Sequence, residues 1–174
     1  MQALAFDIIA NAAQAAGLDR AAVMDKPEKE TVLLAERRVQ VEFLPARLER
    51  SGRPVGKSRT DIDGHPYRSL RRAIYNRVLE VSAEVIGNDE DWVESFVEGF
   101  LRALPRRTAD GDNNLVTVEA FTARRGGYAG KMVEVFVKRR CAVHIRFSGM
   151  IHQDEQLPFI TECEFEVTDV NQAN

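Results

Sequence analysis

The chain has 174 residues, 44% of them hydrophobic and 29% charged, and a formal net charge of −3 at pH 7. This length and composition predict one globular domain that is long enough to bury a core. The sequence has no run of about 18 apolar residues, so no transmembrane helix is expected, and its pI of 5.7 lies well below that of a dedicated nucleic-acid-binding protein.

The first third of the chain predicts one helix, one strand and one long loop. In residues 3–16, apolar side chains recur at helical spacing, and Gly17 is expected to cap this helix because glycine readily takes positive φ. Residues 31–44 end in alternating apolar and polar side chains and predict a strand. Residues 50–66 hold three Gly and two Pro but only one Val and one Ile, which favours a long, mobile loop.

The rest of the chain predicts a second helix between strands. The long alternating run 71–86 leads into an amphipathic helix that begins after Asn88 or Asp89 and stops at Pro105. After a turn, further alternating segments predict an extended hairpin region over 124–150, because an unbroken run of that length exceeds an ordinary strand. The segments predicted to form strands here are 115–123, 132–149 and 159–167.

This order of elements predicts an α+β fold. We expect a mostly antiparallel β sheet or sandwich, with an N-terminal helix and the second amphipathic helix packed on it. The whole chain, 1–174, is predicted to form a single domain. Cys141 and Cys163 each fall in phase with an apolar strand face, so both are predicted to be reduced thiols that fill the core.

The sequence shows no recognisable catalytic or metal-binding motif. Its three histidines, His65, His144 and His152, lack helical or zinc-finger spacing. The glycine-rich segment 125–130 joins two predicted strands rather than opening a helix, so we interpret it as a hairpin turn and not as a phosphate-binding loop. We therefore predict no catalytic residue, no cofactor, no metal site and no enzymatic activity.

Charge is strongly segregated along the chain. Segment 47–72 has eight basic and three acidic residues, 80–98 has seven acidic and no basic ones, and 124–146 has seven basic and one acidic. Such blocks either solvate a surface or suit an interface in which the basic edge of one copy meets the acidic edge of the next. The candidate interface residues are Arg53, Lys57, Arg59, Glu80, Glu84, Lys138, Arg140, Glu162, Glu164 and Glu166.

The element order resembles the tail-terminator family of long-tailed bacteriophages and the related tail-completion proteins of the head–tail neck. The matching pieces are the alanine-rich helix 3–16, the strand 38–43, and the run 75–81 that leads into 88–92 and the second helix. The resemblance implies a ring, commonly of six subunits, that caps the tail tube, ends its polymerisation and presents a surface for joining the head. It implies no catalytic residues.

The resemblance also implies partners and a location. The partners are further copies of the chain as a homohexamer, the tail-tube protein, a head-completion or connector protein, and genomic DNA passing through the lumen. A sheath protein is a further candidate, and no membrane is involved. The location is the tail or neck of a virion that is assembled in the host cytoplasm.

Other functions remain open at the level of sequence. The chain could be another neck, connector or tail-tube-associated protein, a small adaptor that binds nucleic acid or protein, or an enzyme with an unrecognised site. A ring protein self-associates or binds tube ends, whereas a nucleic-acid adaptor shows strongly salt-dependent binding. An enzyme would show a deep pocket with perturbed titratable groups.

Overall fold

The computed structural model describes residues 1–26, 36–62, 65–127 and 139–158. In these ranges it contains two α-helices, a short 3-10 helix and eight strands. The helices are α1 (Gln2–Ala15) and α2 (Glu90–Ala103), and the 3-10 helix is Arg20–Ala22. The strands are β1 (Val23–Asp25), β2 (Arg38–Phe43), β3 (Arg47–Arg50), β4 (Pro54–Ile62), β5 (His65–Gly87), β6 (Arg107–Ala109), β7 (Leu115–Gly127) and β8 (Arg139–Pro158).

The strands form one mostly antiparallel sheet, which confirms the predicted α+β fold class. Their order is β1-β2-β5-β8-β7-β6, and β3 and β4 also pair with β5. The β1–β2 pair is parallel, whereas β2, β3 and β4 all run antiparallel to β5. By its contacts the chain divides into two compact units. Among the described residues, the first comprises those within Met1–Arg50 and Tyr75–Ile151, and the second comprises those within Ser51–Ile74 and from His152 to Pro158.

The N-terminal helix forms where the apolar spacing predicted it. Gly17 has φ +94° and donates its backbone N–H to the carbonyl of Gln14, so it ends the helix in the left-handed conformation that glycine tolerates best. The side of α1 that faces the core consists of small and aliphatic residues, namely Ala5, Ile8, Ile9, Ala10, Ala12 and Ala13.

The second helix is determined by local signals at both ends. The carboxylate of Asp89 accepts a hydrogen bond from the backbone N–H of Asp91 at 3.2 Å, so Asp89 rather than Asn88 is the N-cap. Glu90 and Asp91 in the first turn and Arg102 in the last complement the helix dipole. The apolar face is buried as predicted, by Val93, Phe96, Val97 and Phe100.

The hydrophobic core lies in the first unit, where both helices pack on one face of the sheet. The alternation predicted for these strands places every second side chain of β2, of the second half of β5 and of the first half of β8 in or against this core. Cys141 is buried there, as predicted, whereas Cys163 lies outside the described residues. The buried strand residues of this core are Val23, Val39, Val41, Leu79, Val81, Ala83, Val85, Val116, Val118, Cys141, Val143, Ile145 and Phe147.

The prediction of a loop over 50–66 is wrong. Most of this segment is strand β4, which pairs antiparallel with the first half of β5, and Lys57 lies opposite Leu70. The register of this pairing shifts between Pro54 and Gly56. Proline and glycine are tolerated in a strand at an irregularity of this kind. The loop was predicted because β4 lacks apolar alternation. The pairing depends instead on backbone hydrogen bonds to β5, which require no apolar side chain.

Several strand boundaries also differ from the predicted ones. The strand predicted over 31–44 is β2 within the described residues, and β5 begins six residues before the predicted 71. The three-residue strands β1 and β6 were not predicted, because such short segments show no periodicity. In the predicted hairpin region, β7 and β8 do pair antiparallel, with Gly127 opposite Arg139. Residues 128–138 and the predicted last strand, 159–167, lie outside the described residues.

Candidate functional site

The face of the sheet that points away from the helices carries ion pairs. Glu80 and Glu84 alternate along β5 with buried core residues and therefore lie on this second face. Arg140 of β8 pairs with Glu84 at 3.3 Å, and Arg146 pairs with Glu80 at 3.1 Å. The side chains of Arg140 and Glu84 are only 21% and 23% exposed. Three of the predicted interface residues, Glu80, Glu84 and Arg140, thus have partners within the chain, and their interface role stays a prediction.

This network extends to the parallel edge of the sheet. The ammonium of Lys26, which follows β1, lies 2.6 Å from the carboxylate of Glu42 on β2. That hydrogen bond is the main cause of a raised pKa at Lys26, and the negative charges of Glu42 and Glu84 add to it, whereas desolvation and Arg140 oppose it. The charges of Lys26, Glu42, Glu84 and Arg140 therefore interact across neighbouring strands. The Lys26–Glu42 pair is about half exposed, and a pair of this kind contributes about 0–1 kcal/mol.

An exposed aromatic residue lies on the same face, where sequence reasoning did not single it out. Phe121 is 43% exposed and sits at a register shift between Ala120 and Thr122 of β7. The guanidinium of Arg146 lies 4.8 Å from the centroid of its ring, and the ring of His144 lies at 5.9 Å. A guanidinium at this distance from an aromatic ring is attracted to the face of that ring. A search for alternating residues would not identify Phe121. At the register shift, the residues of β7 that face the core change from even-numbered to odd-numbered positions.

The second unit contains a basic hairpin formed by β4 and the first part of β5. Lys57 lies opposite Leu70, and Arg59 lies opposite Arg68, so these four positions share one face of the hairpin. For Arg59 the structure describes only this backbone position. Two like charges directly opposite each other destabilise an antiparallel pair. Because Lys57 and Arg68 are both exposed, this face is a cationic surface, and the exposed Arg53 precedes β4.

The acidic residues of β8 neutralise only one part of the hairpin. Both Nε and Nη2 of Arg71 donate to the carboxylate of Asp154 at 2.8 Å, and Arg72 lies 3.5 Å from Glu155. His152 is 3.8 Å from Asp154. The hydrogen bonds from Arg71 are the largest cause of a lowered pKa at the Asp154 carboxyl.

Three exposed hairpin cations have no ion pair in the part of the chain that the structure describes. They are Arg53, Lys57 and Arg68. The remaining predicted interface residues, Lys138, Glu162, Glu164 and Glu166, lie outside the described residues.

We expect Arg71→Ala to raise the pKa of Asp154 towards its ordinary value of 3.8, because the bidentate hydrogen bond stabilises the charged form. The folded pKa is depressed, so the pair contributes stability above pH 3.8 and loses it as the pH falls through the folded pKa. NMR titration of the side-chain carboxyl carbon measures the shift. Arg72→Ala is the matched control and should leave Asp154 unchanged. An unaltered Asp154 titration in Arg71→Ala would contradict the assignment.

The described residues of the first unit leave two shallow hollows beside α2. One, of about 550 Å³, is lined by the C-terminal end of α2 and by Val118, Glu119 and Ala120 of β7. The other, of about 190 Å³, lies between Val93, Val97 and Cys141. Across the described parts of the chain, no three His, Cys, Asp or Glu residues are arranged to hold a metal ion. The prediction that the chain is not an enzyme stays a prediction.

No helix in the described ranges is both long and apolar enough to cross a membrane. No family model matches the chain, and no curated protein matches it. A chain in the structure of the virion of a native gene transfer agent (GTA) particle aligns with a TM-score of 0.41 and 14% identity, covering 82% of this chain and 93% of that one. These values are too low to establish a common fold. The resemblance to tail terminators therefore stays a prediction from the element order.

Proposed function

We propose that this chain is a structural protein of a phage-like virion, in which copies assemble into a ring that caps the tail tube and joins the tail to the head. The order of helices and strands supports this proposal, because it is the order on which the resemblance to tail terminators rests. The observation that carries the self-assembly is the basic β4–β5 hairpin, whose cations Arg53, Lys57 and Arg68 are exposed and form no ion pair within the described residues.

A surface of this kind suits an assembly contact. Concentrated like charge destabilises an isolated hairpin, and an anionic partner relieves the repulsion. The chain also carries separate acidic segments, so one copy can present the basic surface and the next an acidic one. Such a head-to-tail contact joins two different surfaces and closes into a ring when the rotation between neighbours allows it.

The proposed partners follow from this assembly. They are further copies of the chain, in a ring of six, together with the tail-tube protein on one side and a head-completion or connector protein on the other. A sheath protein is a further candidate for contractile tails. The genome passes through the lumen of the ring. The proposed location is the tail or neck of the virion.

Charge reversal in the hairpin tests the proposal. We expect the Arg53→Glu/Lys57→Glu/Arg59→Glu variant to self-associate, or to bind purified tail tubes, at least about tenfold more weakly than the wild type, because like charges across an interface cost several kcal/mol. Analytical ultracentrifugation measures self-association, and electron microscopy shows whether one end of each tube is capped.

The charge-retaining variant Arg53→Lys/Lys57→Arg/Arg59→Lys is the matched control and should assemble like the wild type. Far-UV circular dichroism should show that both variants keep their secondary structure. Assembly that is unchanged after charge reversal would contradict the role of the hairpin. A wild-type chain that stays monomeric and ignores tube ends would contradict the ring itself.

The same hairpin favours a second candidate function, that of an adaptor that binds nucleic acid. Its cationic face could follow a phosphate backbone, and binding would then weaken steeply with salt, by nearly one power of concentration for each phosphate contacted. A monomeric wild-type chain with salt-dependent DNA binding that the triple reversal abolishes would support the adaptor and not the ring.

A further inference from the structure

We infer that one edge of β7, beside the C-terminal end of α2, binds an extended peptide segment of a partner protein that carries acidic and apolar side chains. The segment adds to β7 as a strand and places one carboxylate among Arg102, Arg106 and Arg107. This inference goes beyond the proposed ring and does not depend on it. All the residues that it concerns belong to the first unit.

The first step concerns an edge of the sheet that β6 covers only in part. β6 pairs with residues 115–117 of β7, and the backbone N–H of Val118 donates to the carbonyl of Arg106 at 3.0 Å. From Glu119 onward, no strand in the described part of the chain pairs with this side of β7, whereas β8 pairs with the other side. β7 therefore offers an edge to which a further strand can be added.

The backbone of Ala120 is the first available group on this edge. In an antiparallel strand, alternate residues direct both N–H and C=O to the same side. Val118 donates towards β6, so Ala120, two residues further on, directs its backbone groups to the edge beyond β6. Ala120 is exposed, and its side chain is only a methyl group. An incoming peptide backbone can therefore approach it closely.

The second step concerns the hollow of about 550 Å³ beside this edge, here called the arginine hollow. It lies where the chain leaves α2 and enters β6, and Arg102, Arg106 and Arg107 line it. Arg106 and Arg107 are exposed and form no ion pair with a described residue, and Arg102 lies 3.3 Å from the exposed carboxylate of Glu98. Guanidinium groups in this arrangement favour a carboxylate ligand.

The rest of the lining leaves the arginine hollow positive and partly apolar. One carboxylate, that of Glu119, also lines it, but this side chain is 68% exposed and lies 4.0 Å from Arg146. Leu101, Leu104 and Val118 supply apolar surface. A ligand that combines a carboxylate with an apolar side chain therefore matches this lining better than an inorganic anion does.

A second hollow, of about 190 Å³, indicates an extended ligand. It is lined by Ala123, three residues after Ala120 on β7, and by Val93 and Val97 of α2. The two positions on β7 are roughly 7–10 Å apart, a distance that an extended segment bridges and a single small anion does not. Glu98 also lines the second hollow and disfavours an acid there. The segment therefore places its acidic side chain in the arginine hollow and an apolar one in the second hollow.

The chemistry of the edge favours a peptide over DNA. The phosphates of DNA accept hydrogen bonds but donate none, so DNA could contact the arginines and would leave the carbonyl groups of the β7 edge unpaired. A peptide backbone supplies both N–H and C=O groups at the spacing of a strand. Strand addition therefore satisfies the edge and the arginine hollow together.

Another explanation is that the arginines and the register shift near Phe121 only protect the edge from unwanted pairing, as charges and bulges often do. The two explanations differ in what binds. Protection requires that no strand binds, whatever its charge. Docking requires that an acidic strand binds, and that binding depends both on the arginines and on the backbone N–H of Ala120.

Titration of the full chain with a synthetic peptide tests the inference. The probe is a blocked seven-residue peptide of alternating valine and glutamate that carries a neutral fluorophore, and fluorescence anisotropy measures its binding. We expect the wild type to bind this peptide. The same peptide with lysine in place of glutamate should bind at least about tenfold more weakly, because like charges across an interface repel.

Two variants locate the site on the chain. Arg106→Glu/Arg107→Glu should weaken binding of the acidic peptide at least about tenfold, whereas the charge-retaining Arg106→Lys/Arg107→Lys should bind it nearly as well as the wild type. Ala120→Pro removes the N–H at the edge, where the described sheet makes no use of it, and should weaken binding about fivefold or more. Ala120→Ser keeps the N–H and is the matched control. Far-UV circular dichroism checks that each variant is folded.

Each outcome supports or overturns the inference. Binding that is lost both with the arginines and with the Ala120 N–H supports strand addition by an acidic segment. A wild-type chain that does not bind the peptide, or folded variants that bind it unchanged, would overturn it. If Ala120→Pro does not fold, the arginine variants and the lysine peptide still decide.

Oligothymidylate is the probe for the competing ligand. If it binds while the acidic peptide does not, and if Arg106→Glu/Arg107→Glu abolishes this binding, the arginine hollow is a nucleic-acid site and the inference is wrong. Self-association is not a readout of these titrations, so the ring proposal is tested separately.

Discussion

Replacing Phe100 by alanine is expected to lower the free energy of unfolding by about 3–5 kcal/mol. The side chain is 0% exposed, and its ring stacks on that of Phe96 with 6.2 Å between centroids. It belongs to the core in which both helices meet the sheet. Removal of the ring loses its buried apolar surface and leaves a cavity that neighbouring helices and strands cannot fill without moving. A loss of this size is a large part of the roughly 5–15 kcal/mol that stabilises a typical domain.

Urea denaturation followed by far-UV circular dichroism measures this loss. The adjacent Leu101→Ala is the matched control, because Leu101 is 36% exposed on the same helix and should cost far less. Equal denaturation midpoints for the two variants would show that α2 does not anchor the core.

Replacing Gly87 by alanine is expected to destabilise the fold by about 1–3 kcal/mol, because the added methyl group has no room. Gly87 ends β5 just before α2 begins. A Cβ at this position would lie 2.6 Å from Cε3 and 2.8 Å from Cζ3 of Trp92. The tryptophan ring cannot move freely, since it stacks on Phe96 at 5.0 Å and carries the guanidinium of Arg37 at 4.8 Å. The strand-to-helix connection therefore requires glycine for close approach.

Fluorescence reports this change directly, because Trp92 is the only tryptophan in the chain. We expect a shifted emission maximum and a lower urea midpoint in Gly87→Ala. Gly52→Ala is the control, since an added Cβ at that position has nothing within 4 Å. An unchanged emission spectrum together with an unchanged midpoint in Gly87→Ala would show that the ring adapts without cost.

Local signals in the sequence were sufficient for the two helices. In α2, the N-cap Asp89, the acidic first turn and the apolar spacing all lie within a few residues of each other. In α1, the apolar spacing is followed directly by Gly17, which ends the helix. Strands with one buried face, such as β2 and the second half of β5, were also predictable, because burial imposes a period of two. The α+β class followed from these elements.

Only the tertiary structure shows which charged side chains pair with each other across distant parts of the chain. Glu80 meets Arg146 across 66 residues and Glu84 meets Arg140 across 56, so no local pattern could show that this half of the acidic segment is neutralised. The strand β4 is a similar case. Its polar residues carry no periodic signal, and they form a strand only because the first half of β5 supplies backbone partners. The sequence by itself determined the helices, the buried strand faces and the segregation of charge, since these depend on neighbours in the chain. The pairing of distant strands decided which of those charges face each other and which face outward.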